Sequence, residues 1–313
     1  MTDHASLKEK IARFATQTLG FDDCRFTDLK LEKSIDFYKR WLKERGYGDM
    51  AYLREHLRYK ENPQLLLENA KSAIVLSKNY KNTMTQRLNG RFKIARYAVG
   101  KDYHRVMRDN LNELANHMKE LLPGIECYCG VDSSPLPERS LAIKAGIGFL
   151  GKNTMVIKPG VGSYLFIGII LTNQEFPIDA PLKWNCGTCR LCIDACPTQA
   201  INNDFTLTAT KCISYQTIER KTVLTTGEIR KNEGWIFGCD ICQEVCPYNN
   251  VNIPLTAWEE FLPKSGVGFD FFDKVSGTQQ WPVVPKDSPL HRSRKRVLPN
   301  FEKAHEISKN KLK

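Results

Sequence analysis

The stretch "CGTCRLCIDACP" places Cys186, Cys189, Cys192 and Cys196 at spacings of three, three and four, with Pro197 immediately after. A second stretch, "CDICQEVCP", repeats its latter half with Cys239, Cys242, Cys246 and Pro247. Cys-x2-Cys-x2-Cys-x3-Cys-Pro is the ferredoxin spacing for cubane iron–sulfur clusters. Three closely spaced thiolates wrap one face of a cluster, while the fourth points away and ligates a second one. Each site therefore needs a remote cysteine. Cys246 is the symmetric partner for Cys186, Cys189 and Cys192. Cys196 then joins Cys239 and Cys242, and among the nearby cysteines only Cys212 can fill the remaining place. The expectation is two interleaved [4Fe–4S] clusters. Structural zinc also uses four cysteines, but usually as separated Cys-x2-Cys pairs, often with histidine. None of the six histidines falls between 186 and 246.

The other three cysteines, Cys24, Cys127 and Cys129, read as small buried hydrophobes. Eleven cysteines in a chain whose first residues, "MTDHASLKEK", lack the apolar core of a secretory signal point to metal or redox chemistry in the cytoplasm rather than to disulfides. No apolar run is long enough to cross a bilayer. The net charge of +11 favours a polyanionic partner, nucleic acid first. Nine Lys/Arg against three Asp/Glu lie between Lys286 and Lys313, "RSRKR" among them.

The elements that must hold these residues are mixed. Leu7, Ile11, Phe14 and Leu19 predict a helix stopped at Gly20, and Ser34 is expected to cap a second helix ending at Gly46. "SAIVLSKNY" (Ser72–Tyr80) reads as a strand. Met107, Leu111, Leu114, Met118 and Leu121 form one face of a helix over Asp102–Leu122. "IECYCGV" reads as a strand, "PERSLAIKAG" as a helix, and "TMVIK" with "SYLFIGIILT" as a strand pair joined by "PGVG". Without a steady βαβ rhythm the fold class is α+β. The texture changes near 177, giving an expected domain at 1–177, a cluster domain at 178–250 and an extension with a basic tail at 251–313.

Two adjacent clusters make a wire, and a pure electron carrier has no need of a large domain in front. The suggestive stretch there is "VDSSPLPERSLAIKAGIGFLGKNTMVI". Asp132 ends a predicted strand, Glu138 and Arg139 follow a proline-paced turn, and "GIGFLGKN" lets backbone approach a bulky ligand. That glycine pattern precedes a strand and fits neither phosphate-loop template. The residues alone imply an iron–sulfur oxidoreductase with an unidentified partner cofactor.

Several segments together resemble the epoxyqueuosine reductase family: "IARYAVGKDYHRVMR", "VDSSPLPERSLAIKAGIGFLGKNT", "GSYLFIGIILT", the first cysteine run, "CISYQTIE" and "GCDICQEVCPYN", in one order over about residues 1–250. The resemblance implies reduction of the epoxide of epoxyqueuosine, at the wobble position of tRNA, to the alkene of queuosine. It implies a cobalamin-binding N-terminal domain of nitroreductase-like type, and electrons passing through two [4Fe–4S] clusters to cobalamin, whose reduced cobalt is a nucleophile toward the epoxide carbon. The family's proton donor falls on Asp132, whose pKa is expected to be raised by burial against the corrin. Cobalamin contacts carried over are Tyr97, Asp132 itself, Arg139, Lys152, Asn153, Ser163, Ser214, Tyr215, the run Cys239, Asp240, Ile241 and Cys242, and Lys60 where the family has an arginine. Arg220 and Lys221 are candidate tRNA contacts. Many members continue into a C-terminal helical-repeat extension; this chain is expected to be a short form that either grips tRNA with its basic tail and a basic face or makes fewer tRNA contacts.

Two rival readings share these features. One is a corrinoid iron–sulfur reductase of a small molecule, as in reductive dehalogenases, which usually carry a twin-arginine signal. The other is a ferredoxin-type electron carrier without a reaction of its own. In every reading an unidentified low-potential donor supplies the electrons.

Overall fold

The computed structural model describes residues 4–44, 46–82, 93–250, 252–263, 286–293, 295, 299–300 and 302–303. At its centre is a four-stranded antiparallel sheet in the order Asp23–Asp28, Ser72–Asn79, Leu165–Thr172, Cys127–Val131. The period of two divides its side chains between two cores. Ile74 and Leu76 meet Ile11, Met107, Leu111 and Met118 on one face, while Ala73 and Val75 meet Ile35, Leu141 and Ala142 on the other. Helices His4–Arg13 and Tyr103–Leu121 cover the first face; Glu32–Glu44 and Glu138–Lys144 cover the second. Helices and strands segregate into layers, as the α+β reading expects.

Two local readings are corrected. The second helix begins at Glu32, so Ser34 lies inside it and does not cap it. "TMVIK" and "SYLFIGIILT" do not pair along their length. Val156–Ile157 pairs with Phe149–Leu150, whereas Leu165–Thr172 is a central strand of the main sheet, and a single bridge, Lys158 to Gly162, links the two segments. The buried surface offered by two flanking strands outcompetes the short turn between them.

The cysteine-rich region is tied to this body. Lys93–Ile94 pairs in parallel with Trp235–Phe237 just before Cys239. Gly238 follows at φ +67, and a Cβ there would meet the Ala95 Cβ at 2.4 Å. Only glycine allows the turn and the approach together. The short helices Leu191–Asp194 and Ile241–Glu244, one in each cysteine run, pack on each other. Beyond 250, Trp258 meets Phe21 edge-on and Phe261 at a tilt, and Phe261 and Leu290 are buried. Of the basic tail, Lys286, Arg292, Lys295 and Lys303 are described; Arg294, Arg296 and the residues from 304 onward lie outside the described residues. Among the described residues no helix is long and apolar enough to cross a membrane.

Candidate active site

The cysteines sort into two sets. Cys186, Cys189, Cys192 and Cys246 line one small void of about 40 Å³, together with Lys152, Asn153, Ile157, Pro247 and Tyr248. Burial raises the thiol pKa of Cys192 to about 11, and Cys186, Cys246 and Cys189 add to the rise. The second set is Cys196, Cys212, Cys239 and Cys242. Burial again raises Cys239 and Cys242, and Cys212 acts on both, with Cys196 acting on Cys239 and Cys212. Cys192 also acts on Cys242, which locates the junction between the sets. Backbone N–H groups already point at sulfur: Ala200 N donates to Cys196 Sγ at 3.3 Å.

The remaining cysteines are structural. Cys24 is buried in the core, while Cys127 and Cys129 are half-buried at its edge and not fully enclosed as expected. Burial pushes Cys127 to about 11 and Cys129 to about 12, so neither thiol is activated.

Between the main sheet and the second cysteine set lies a cavity of about 430 Å³. Its apolar wall is aromatic. Tyr103 stacks on Phe166 at 4.1 Å and 3°, Tyr97 meets Tyr103 edge-on at 5.8 Å, and Tyr80 and Phe237 complete the surface. Cys239, Asp240, Ser163, Gln243, Asp132, Glu138 and Arg139 line the cavity as well. Two further cavities, of about 530 and 580 Å³, continue from it, and Arg139 lines all three. Each is within the range of a small-ligand pocket, about 300–1,000 Å³. Joined, they form a cleft suited to a much larger group.

Polar atoms in the cleft are fixed from behind. Ser163 Oγ donates to Gln243 Oε1 at 2.9 Å, and Ser163 N donates to Asn249 Oδ1 at 2.8 Å. Asp240 Oδ2 accepts from Arg96 N at 2.7 Å, and burial lifts its carboxyl to about 6. Glu138 Oε1 is buried with no hydrogen-bond partner, and burial, with Asp132 nearby, pushes that carboxyl well above the usual range. An orphaned buried carboxyl oxygen at the edge of a large cleft fits a bound group that brings its own donor or acceptor.

Asp132 stands in a turn at the end of the Cys127–Val131 strand, closed by Ser134 N donating to Val131 O at 2.6 Å. Facing it, Asp102 caps the Tyr103–Leu121 helix by accepting from His104 N at 3.0 Å. The same carboxylate lies 2.7 Å from His104 Nδ1, and His104 Nε2 lies 3.1 Å from Asp132 Oδ2. Burial lowers the His104 pKa, but hydrogen bonds and charge from Asp102 and Asp132 carry it above 6.5. For Asp132 burial raises the pKa, yet His104, with Tyr103 and Arg292, outweighs it and holds the carboxyl below its ordinary range. The side chain also keeps 53% of its surface open to the cleft, where water favours the carboxylate. The raised pKa expected for Asp132 belongs to a site covered by the corrin; with the cleft open, His104 favours the charged carboxylate and Asp132 favours the protonated imidazole.

The sign of this arrangement is testable. A histidine raised on folding contributes stability in full below its unfolded value near 6.5 and loses it as pH climbs through the folded value. Asp102 and Asp132, both lowered, contribute above 3.8 and lose it as pH falls through their folded values. The three are therefore most strongly paired between about pH 4 and 6.5. Proton NMR should show His104 titrating above 6.5 in the wild type. Asp102→Asn and Asp132→Asn should each lower that value, and the double variant should bring it below 6.5, because burial alone then remains. An unchanged titration in either single variant contradicts the pairing.

The other residues singled out in the sequence are placed as follows. Tyr97, Asp132, Arg139, Ser163, Ser214, Cys239 and Asp240 share the central cavity. Lys60 lines the adjoining one; its Nζ donates to Leu136 O at 2.8 Å, and burial brings it down to about 8. Lys152 and Asn153 are not in the cleft. Lys152 Nζ donates to Gly187 O and Cys189 O at 3.0 and 2.9 Å, and Asn153 Nδ2 donates to Cys242 O at 3.3 Å, so both brace the cysteine loops. Tyr215 turns away to accept Asp49 N at 2.8 Å, Ile241 packs near Ile213 and Trp235, and Cys242 lies behind Cys239. Arg220 is paired with Glu228, while Lys221 is exposed.

Residues 185–249 match a family described as 4Fe-4S double cluster binding domain, and residues 60–133 match one described as Epoxyqueuosine reductase QueG, DUF1730. An epoxyqueuosine reductase of Cyclobacterium marinum is 37% identical over 91% of this chain and 92% of its own length. The chain belongs to the epoxyqueuosine reductase family. A crystal structure of epoxyqueuosine reductase with a tRNA-Tyr epoxyqueuosine-modified tRNA stem loop superposes with a TM-score of 0.77 at 28% identity, covering 96% of this chain and 80% of that one. A catabolic reductive dehalogenase, at 16% identity and a TM-score of 0.50 over 80% of this chain and 33% of its own, shares the fold alone. In this epoxyqueuosine reductase fold, sequence reading missed His104 and Arg292. Asp-x-His at a helix N-terminus was a signal for the first. Nothing local marks the second.

Proposed function

We propose that this chain reduces epoxyqueuosine in the anticodon wobble position of tRNA to queuosine, as an oxidoreductase carrying two [4Fe–4S] clusters and cobalamin. The observation that carries the reading is that Cys239 of one cysteine set and Asp132, the partner of His104, line one aromatic-walled cavity. An electron carrier without a reaction of its own has no need of that cleft. When bound, clusters and cobalamin supply low-potential electrons at the epoxide carbon. Overall, the epoxide accepts two electrons and two protons, both carbon–oxygen bonds break, and the alkene and water leave.

The chain's own residues do the rest. Cys186, Cys189, Cys192 and Cys246 hold one cluster, and Cys196, Cys212, Cys239 and Cys242 the other. Tyr97, Arg139, Ser163, Ser214, Asp240 and Lys60 line the cleft that takes cobalamin, in a domain of nitroreductase-like type, and the aromatic wall excludes water from its face. Asp132 takes the shared proton from His104, which Asp102 keeps oriented, and delivers it to the opening oxygen. Seating an apolar face over Asp132 removes the water that favours its charge and moves the shared proton toward it. Lys221, which is exposed, meets tRNA phosphate, and Arg220 does so only by leaving Glu228.

The test is anaerobic. Protein reconstituted with iron, sulfide and cobalamin is given a strong reductant and tRNA carrying epoxyqueuosine, and the digested nucleosides are weighed. Loss of one oxygen from that nucleoside alone is the expected result. An unchanged nucleoside, with both clusters and cobalamin bound, contradicts the assignment.

A further inference from the structure

The turn Pro289–Ser293 brings a residue from the far end of the sequence to the mouth of the cleft. It is well anchored. Leu290 is fully buried, Ser288 nearly so, and Asp287 O accepts Asp102 N at 2.6 Å. Asp102 is also the residue that orients His104, so the acid pair and this turn share one support. From the turn Arg292 reaches both halves of the cleft. Its NH1 lies 3.3 Å from His104 Nε2 and 3.8 Å from Asp132 Oδ2, and 53% of the side chain is exposed.

That contact is unfinished. A protonated His104 donates from both ring nitrogens, toward Asp102 and toward Asp132, and leaves Arg292 no acceptor on the ring. At 3.8 Å the carboxylate gives Arg292 charge attraction without a hydrogen bond. An exposed pair of that kind is weakly held. A phosphate offers a guanidinium two parallel charge-assisted hydrogen bonds and is the better partner. A nucleotide that turns its base into the cleft leaves its phosphate at the rim, where Arg292 stands.

We propose that Arg292 is a substrate-positioning residue that exchanges the Asp132–His104 pair for a backbone phosphate beside the modified nucleoside when tRNA is seated. This rests on the tRNA reading above. The exchange also removes one cation from Asp132 at the moment its proton is needed. The charged and titratable groups left around Asp132 are Tyr103 and His104 from the helix, with Asp102 behind them, Glu138 and Arg139 from its own loop, Tyr52 and Lys60 from the 52–61 segment, and Glu219.

The test uses full-length reconstituted enzyme and a tRNA stem loop carrying epoxyqueuosine, with Arg292→Ala, Arg292→Lys and, as a charge control, Arg105→Ala. Arg292→Ala should bind the stem loop about tenfold more weakly. Its plot of log affinity against log salt should be shallower by about one phosphate contact. Arg292→Lys should recover the slope but not the full affinity, and Arg105→Ala should change neither. In Arg292→Ala the alkaline limb of kcat/KM, which reports the free enzyme, should move up in pH while that of kcat, which reports the complex, stays in place. An unchanged salt slope, or both limbs moving together, overturns the proposal. Cluster absorbance checks that each variant is folded. A wild-type enzyme inactive on this RNA overturns the functional reading and this inference with it; an active wild type with an indifferent Arg292→Ala overturns the inference alone.

Discussion

Replacing Asp132 with asparagine is expected to lower the rate of oxygen loss from tRNA by about a hundred- to ten-thousandfold, the usual contribution of a positioned general acid. Asparagine matches the shape of aspartate and can still meet His104, so neither cluster content nor cobalamin binding should change. What disappears is the group that receives a proton from His104 and passes it to the opening oxygen. The effect belongs in kcat more than in KM, because the proton moves only as the carbon–oxygen bond breaks. A variant that binds cobalamin and tRNA normally but keeps more than a tenth of the wild-type rate would remove Asp132 from the chemistry.

The second large effect concerns the clusters. If the cysteine sets are those the structure brings together, Cys196→Ser should behave like Cys239→Ser, although Cys196 lies within the run of Cys186, Cys189 and Cys192. Each should lose about half of the iron and sulfide, and Cys246→Ser should lose the other half. The informative comparison is the pair Cys196→Ser and Cys246→Ser, which interchange under a sequential arrangement of the clusters. Either loss breaks the electron path and should abolish turnover even where cobalamin still binds. Spectra of the reduced variants distinguish the remaining cluster. Identical spectra for Cys196→Ser and Cys246→Ser would contradict interleaving.

The cysteine sets were legible in the sequence because a cluster's geometry is imposed on ligand spacing, and spacing is visible in one dimension. Cys212 could be reached by elimination for the same reason. The sheet was legible where an apolar run of strand length is buried at every position, as in Ser72–Asn79, and the long helix where its stripe met the core. The second helix misled by two residues because Ser34 is a good cap by type, while the chain turns earlier, at Glu32. Lys152 and Asn153 lie in a glycine-rich stretch that suggested a ligand, but the fold turns that stretch against the cysteine loops. The acid pair was half visible. Asp132 followed from the motif around it, whereas His104, Arg292 and the direction of the Asp132 pKa depend on contacts made 28 and 160 residues away in sequence.

The most direct test is a single turnover without external reductant. Enzyme holding both clusters and cobalamin is reduced anaerobically, freed of reductant, and mixed with excess tRNA carrying epoxyqueuosine. Cluster absorbance and queuosine are followed in the same samples. Reoxidation of the clusters in step with queuosine, at two electrons per molecule formed, is the expected result. Clusters that stay reduced beside unchanged epoxyqueuosine, or that reoxidise without queuosine appearing, would contradict the account.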